Sequence, residues 1–203
     1  MTRIAVVSAG LSQPSSTRLL ADRLAAAAAT GEALAATGGE VTVDVVELRD
    51  HARDLTDNLL TGFAAADLRA TIDTVTAADG LIAVTPIFNA SYSGLFKTFF
   101  DVLEPDSLTG MPVLLGATGG SARHSLALEH ALRPMFSYLH AAVAPTAVYA
   151  ASEDWASAAE GGLSTRIGRA AAEFAAMLTN TPRPRATDPY DDPVPFAQLL
   201  GTH

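Results

Sequence analysis

The chain has no cysteine among its 203 residues, which excludes disulfides, thiolate nucleophiles, iron–sulfur clusters and thiol-ligated zinc. Positive charge is also scarce: 13 Lys and Arg stand against 22 Asp and Glu, a formal net charge of −9. The basic residues are scattered, so the clustered cations that displace counterions from a phosphate backbone are missing and no nucleic-acid partner is expected. No apolar run approaches the ~18 residues of a membrane span, and the stretch at residues 4–7 is too short for the core of a signal peptide. The expectation is an unprocessed cytoplasmic chain with no membrane contact. His51, His124, His140 and His203 show no metal-ligand spacing, and no metal is expected. What the chain does have is a hydrophobic fraction of 49%, enough at this length for one core in one domain.

Apolar residues 4–7 lead into Ser8-Ala9-Gly10-Leu11-Ser12-Gln13-Pro14, after which Leu19, Leu20 and Leu24 recur at helical spacing. Gly38-Gly39 introduces the β-branched residues 41–46, a second strand. Residues 50–62 are polar and poorly periodic and read as a surface loop, followed by a helix over about 65–77. Residues 80–84 form a continuous apolar third strand that is predicted to stop at Thr85-Pro86, where proline removes a ladder donor. Leu95, Phe96, Phe99, Phe100 and Leu103 make one face of the next helix. A fourth strand at 112–115 ends at Gly116-Ala117-Thr118-Gly119-Gly120, and Leu128, Leu132, Met135, Phe136 and Leu139 stripe the helix after it. Residues 143–149 read as the fifth strand and 163–178 as the last helix. Such alternation predicts an α/β three-layer sandwich around a five-stranded parallel sheet in the doubly wound order 2-1-3-4-5. One domain spans residues 1–180, with the proline-rich 181–203 a tail or arm.

In such a sheet, ligands bind beyond the carboxyl ends of the strands, here at the loops after strands 1, 3 and 4. The first loop offers the hydroxyls of Ser8, Ser15, Ser16 and Thr17 with free N–H groups at a helix N-terminus, a setting for a phosphate. The alternative is that Ser15 or Ser16 simply caps the helix. The loop matches neither Gly-x-x-x-x-Gly-Lys-Ser/Thr nor Gly-x-Gly-x-x-Gly, which speaks against ATPases and ordinary Rossmann dehydrogenases. The second loop presents Pro86, Ile87, Phe88 and Asn89 as backbone groups and an apolar face for a planar ring, with core or subunit packing as the alternative for Phe88 and Tyr92. Thr118, Gly119 and Gly120 allow close backbone approach that aims N–H groups at a carbonyl or ring nitrogen, or they merely turn the chain. Ser121, His124 and Ser125 are too close in sequence for a triad, and no nucleophile-elbow motif is present.

A Ser/Thr-rich phosphate loop on five strands resembles a flavodoxin-type FMN site. The order Ser15-Ser16-Thr17, Ala78-Asp79-Gly80-Leu81-Ile82, Thr85-Pro86-Ile87-Phe88, Tyr92-Ser93-Gly94 with Lys97-Thr98, and Ala117-Thr118-Gly119-Gly120 resembles the NADPH-dependent FMN reductases. Within these it is most similar to the alkanesulfonate-system type, which supplies reduced flavin to two-component monooxygenases. The resemblance implies an oxidoreductase that passes hydride from NADPH or NADH to FMN, with a partner monooxygenase. It places Ser15, Ser16 and Thr17 at the phosphate, Pro86 to Asn89 along the isoalloxazine and ribityl chain, and Thr118 to Gly120 at the ring's polar edge. One departure is that the family often carries Gly-Ser and an arginine in the first loop, where this chain has Ser8-Ala9 and Leu11. Ser12 or Arg18 would then assist the hydroxyls. Leu128-Glu129-His130-Ala131-Leu132-Arg133-Pro134 resembles the family helix in which an inserted residue makes a π-bulge at a tetramer interface. That would put His130 at a subunit contact of a homodimer or homotetramer, the alternative being an exposed helical histidine. No catalytic acid or base is singled out, because the flavin carries the reactivity. The competing readings are a flavodoxin-type electron carrier, a quinone or azo reductase, and a flavin-free module. The lack of an aromatic in Thr118-Gly119-Gly120 leaves a flavin face open and favours the enzyme.

Overall fold

A computed structural model describes residues 1–156 and 162–180, so the expected tail at 181–203 lies outside the described residues. Strands β1 (Thr2–Ser8), β2 (Val41–Glu47), β3 (Gly80–Phe88) and β5 (Pro112–Gly119) build the centre of a sheet whose neighbours run β2-β1-β3-β5. These four pair in parallel. Beyond β5 lie β6 (Ala142–Val143) and β7 (Val148–Ala151), both parallel to it, while β4 (Ser91–Tyr92) folds back antiparallel on β3.

Side chains alternate across the strands, and the two faces carry separate cores. Ile4, Val6, Ile82 and Val84 pack under α1 (Ser16–Ala29), the short α2 (Glu32–Ala35) and α8 (Leu163–Asn180). Ala5, Val7, Leu81 and Ala83 pack under α3 (Ala52–Thr61), α4 (Ala66–Thr76), α5 (Gly94–Asp101) and α6 (Arg133–Tyr138). On this second face Phe100 stands edge-on between Phe96 and Phe136, with ring centroids 4.8 Å away on each side. Such edge-to-face pairs add roughly 0.5–1.5 kcal/mol each beyond the area they bury. Between β7 and α8 lies α7 (Ser152–Ala156).

The doubly wound order is as expected, but the sheet contains seven strand segments, not five. Two segments come from the expected fifth strand. Val143 lies opposite Val113 and Val148 opposite Gly116, so residues 144–147 face only two residues of β5. Pro145 interrupts the ladder there because it has no N–H. Polar side chains satisfy the excursion: Arg133 donates to the carbonyls of Ala144 and Pro145, both at 3.1 Å, and Glu173 accepts from the N–H and hydroxyl of Thr146.

The third strand runs through Thr85-Pro86 to Phe88 instead of stopping there. Its pairing with β1 ends at Val84 while its pairing with β5 continues to Pro86. On the β1 side it is therefore an edge, where a missing N–H costs no ladder bond. Residues 50–62 are not a loop: a 3₁₀ turn (Leu48–His51) runs into α3, which buries only Leu55 and Asn58. The expected helix over 128–139 is a π-turn (Leu128–Leu132) followed by α6, with Pro134 in the first turn of α6.

Candidate functional site

The first loop joins β1 to α1 by close packing. Ser15 is the N-cap of α1, and its hydroxyl accepts from the N–H of Arg18. Gly10 lies so near this cap that a Cβ built on it would be 2.0 Å from the Ser15 hydroxyl oxygen, so only glycine fits. With Ser15 used as the cap, Ser16 and Thr17 occupy the first turn, where helix geometry provides no backbone acceptor for their N–H groups. Thr17 is buried, and its hydroxyl is 2.8 Å from that of Thr118. Ser8 lies beneath the loop at the end of β1, 1% exposed, and its hydroxyl has no partner among the described residues.

Arg18 does not reach into this loop. Its guanidinium bonds Asp22 at 2.7 Å and Glu47 at 2.6 Å. Arg49 approaches instead, from the 3₁₀ turn after β2. Its Nε is 3.0 Å from Glu47, and it donates a long bond of 3.4 Å to the carbonyl of Ser12.

The second loop is a hairpin from β3 to β4 in which Ile87 faces Tyr92 and Phe88 faces Ser91. Its two turn residues, Asn89 and Ala90, have φ of 48° and 71°, the left-handed pair that a tight hairpin demands. Thr85 fixes the base of the hairpin, its hydroxyl accepting from the N–H of Ser93. In the third loop a Cβ on Gly119 would lie 2.0 Å from the Tyr149 hydroxyl, which donates to the carbonyl of Ser121. Burial, then the charges of Asp154 and Glu153, raises the Tyr149 pKa, so this donor keeps its proton at neutral pH. A Cβ on Gly120 would meet nothing.

These loops converge on an open cleft of about 470 Å³ at the carboxyl ends of the strands. Ser15, Ser16, Thr17, Pro86, Ile87, Phe88, Thr118, Gly119 and Gly120 line it, together with Leu11, Ser12, Ser152 and Trp155. Two sequence-predicted site residues are not on the wall: Ser8 is beneath it, and the exposed Asn89 is at the hairpin tip. Phe88, 47% exposed, belongs to the cleft, whereas Tyr92 packs on the core. Among the described residues, none that lines the cleft carries a charge.

The family model for NADPH-dependent FMN reductases matches residues 2–156, which contain all three loops. The chain belongs to this family. An "FMN reductase (NADPH)" of Pseudomonas aeruginosa is 38% identical over 155 residues, covering 75% of this chain and 78% of the relative. The "NADH-dependent FMN reductase SfnF" of Pseudomonas fluorescens is 38% identical over 183 residues, 88% of this chain and 92% of its own. Among solved structures, an oxidoreductase from Corynebacterium diphtheriae superposes with a TM-score of 0.84 at 45% identity, covering 90% of this chain and 99% of that one.

The reductase's own residues fit FMN. The Ser16 hydroxyl on the wall and the first-turn N–H groups offer hydrogen-bond donors to a phosphate, and no carboxylate among the described lining residues opposes it. The open space over Gly120 leaves room for a planar ring at the third loop. Sequence reading missed Ser152 and Trp155 because residues 143–149 read as one strand, which hid the end of β7 at Ala151 and the short helix after it. Trp155 also gives the cleft a second aromatic, although the third loop itself has none. In the reductase's π-turn the Arg133 N–H bonds back to the carbonyl of Leu128, and His130 is exposed. Among the described residues no helix is long and apolar enough to cross a membrane, and no cluster of side chains could hold a metal.

Proposed function

We propose that FMN lies in this cleft with its phosphate at the first turn of α1, its ribityl chain and ring along Pro86, Ile87 and Phe88, and its ring edge at Thr118-Gly119-Gly120. The supporting observation is the convergence of the three loops on one cleft, with the Thr17 and Thr118 hydroxyls joined beneath it. When bound, FMN supplies the chemistry by accepting hydride from the reduced nicotinamide. The chain's part is binding and orientation. The N–H groups of Ser16 and Thr17 neutralise phosphate charge with help from the helix dipole. Pro86 and Phe88 exclude water from one side of the ring, and the third loop's N–H groups face the edge on which negative charge accumulates. No side chain has to gain or lose a proton, in keeping with described lining residues that include no carboxylate, Lys or His.

Reduced FMN then passes to a flavin-dependent monooxygenase, a reading supported by similarity to the SfnF-type reductase. A homo-oligomer with His130 near a subunit contact is part of the same reading, supported by the exposure of Glu129 and His130 in the π-turn, as is residence in the cytoplasm. Either NADPH or NADH serves as donor. The test is anaerobic: excess FMN is mixed with the protein and NADH or NADPH, and flavin absorbance is followed. Catalytic bleaching of many equivalents is expected with at least one nucleotide. Bleaching of a single equivalent, with flavin retained through gel filtration, would replace release to a monooxygenase by a fixed cofactor serving another acceptor.

A further inference from the structure

Trp155 is the only tryptophan of the chain, and it lies on the cleft wall beside Ser152. It is half-buried and packs from the edge against the core under α1 and α8, without entering it. Its position is fixed from three directions. The guanidinium of Arg23, on the exposed side of α1, stands 5.1 Å from the ring centroid. Asp154, the preceding residue, accepts from the N–H of Ala151 at the end of β7. Arg166 of α8 bonds Asp154 at 2.8 Å and also donates to the carbonyl of Tyr149. Burial opposes ionisation of Asp154, but the hydrogen bonds from Arg166 and Ala151 outweigh it and hold the carboxyl below its usual range. The clamp is therefore charged at neutral pH.

A large aromatic on a ligand cleft, braced by a cation and by a helix anchored to two elements, has a cost in lost motion that core packing alone does not require. Phe88 reaches the cleft from the β3 hairpin and Ser152 and Trp155 from α7, while Arg23, over the indole, belongs to α1. Resting on the seating of FMN proposed above, we infer that Trp155 is a flavin-retaining residue. Its indole packs against bound FMN from the α7 side, and Arg23 is the positioning residue that holds the indole in place. Retention decides whether the flavin behaves as a cofactor or as a substrate that leaves after each turnover.

The single tryptophan makes the test direct, because the indole N–H gives one resonance in a nitrogen–proton correlation spectrum. FMN is added to the full chain, and binding is followed in parallel by flavin fluorescence. The indole resonance is expected to shift under the ring current of the flavin. Trp155→Ala is expected to raise the Kd for FMN about tenfold, the scale of one aromatic contact. Trp155→Phe should recover most of that loss, which separates lost contact from lost folding. In turnover, Trp155→Ala should raise the KM for FMN and leave the KM for the nicotinamide nucleotide unchanged. Arg23→Gln should shift the indole resonance of the free protein and raise the FMN Kd about threefold. An unshifted resonance in protein that has bound FMN, or an unchanged Kd in Trp155→Ala, would overturn the role of Trp155. Wild-type protein that binds no FMN would instead defeat the seating of FMN itself.

Discussion

The hydroxyls of Thr17 and Thr118 lie 2.8 Å apart, and both residues are buried. One belongs to the first turn of α1 and the other to β5, so a single hydrogen bond fixes the spacing between the first and third loops. Thr118→Val removes one partner and leaves the Thr17 hydroxyl buried without one, which is expected to cost about 1–3 kcal/mol. Thr17→Val should behave alike, and the double variant should lose less than the sum of the two. Denaturant unfolding of the four proteins checks this coupling.

Gly10 and Gly120 should lose FMN affinity on substitution by alanine for different reasons. At Gly10 the new methyl would collide with the Ser15 hydroxyl, displacing the cap and the first-turn N–H groups, so FMN affinity should fall roughly tenfold or more. At Gly120 nothing is nearby, so stability should stay within about 0.5 kcal/mol of wild type. FMN affinity should still fall, because the methyl enters the space assigned to the ring. Thermal unfolding and FMN titration together separate the two cases.

Stability should depend on Glu173 at acid pH. Burial favours the protonated form, but bonds from Thr146 and Arg169 outweigh it and hold the carboxyl below its usual range. A lowered native pKa gives stability that is fully present above the unfolded value of about 4.3 and is lost as pH falls through the native value. Glu173→Gln should therefore lose about 1–2 kcal/mol at neutral pH, and its stability should fall less steeply than wild type below pH of about 4. Urea unfolding across pH measures both.

Ala90 has φ of 71° in the hairpin turn, a conformation that disfavours any side chain with a Cβ. Ala90→Gly should raise stability by about 1 kcal/mol, read as a higher denaturant midpoint with an unchanged slope.

Much of this fold was legible because its signals are local. The apolar runs at β1, β3 and β5 and the hydroxyl and glycine residues after them are short, dense patterns that tertiary context need not complete. Helix α3 carries Ala52, Leu55 and Leu59 at helical spacing, a stripe passed over among Arg53, Asp54, Thr56 and Asp57, and it buries only Leu55 and Asn58. The split of the fifth strand had one local mark, Pro145, which reading residues 143–149 as a single strand passed over, whereas Arg133 and Glu173, which satisfy the excursion, reach it from other elements. Pro86 misled because its tolerance is set by where β1 stops pairing, a fact about a neighbouring strand. Trp155 escaped for the same kind of reason: its place on the cleft follows from the true end of β7.

The most direct test of the FMN seat is a crystal structure of the protein with FMN bound. The phosphate is expected within hydrogen-bond distance of the Ser16 and Thr17 N–H groups, with the ring over Gly120 and bordered by Phe88 and Trp155. Density for FMN outside this cleft, or a flavin turned with its ring at the first turn of α1, would contradict it.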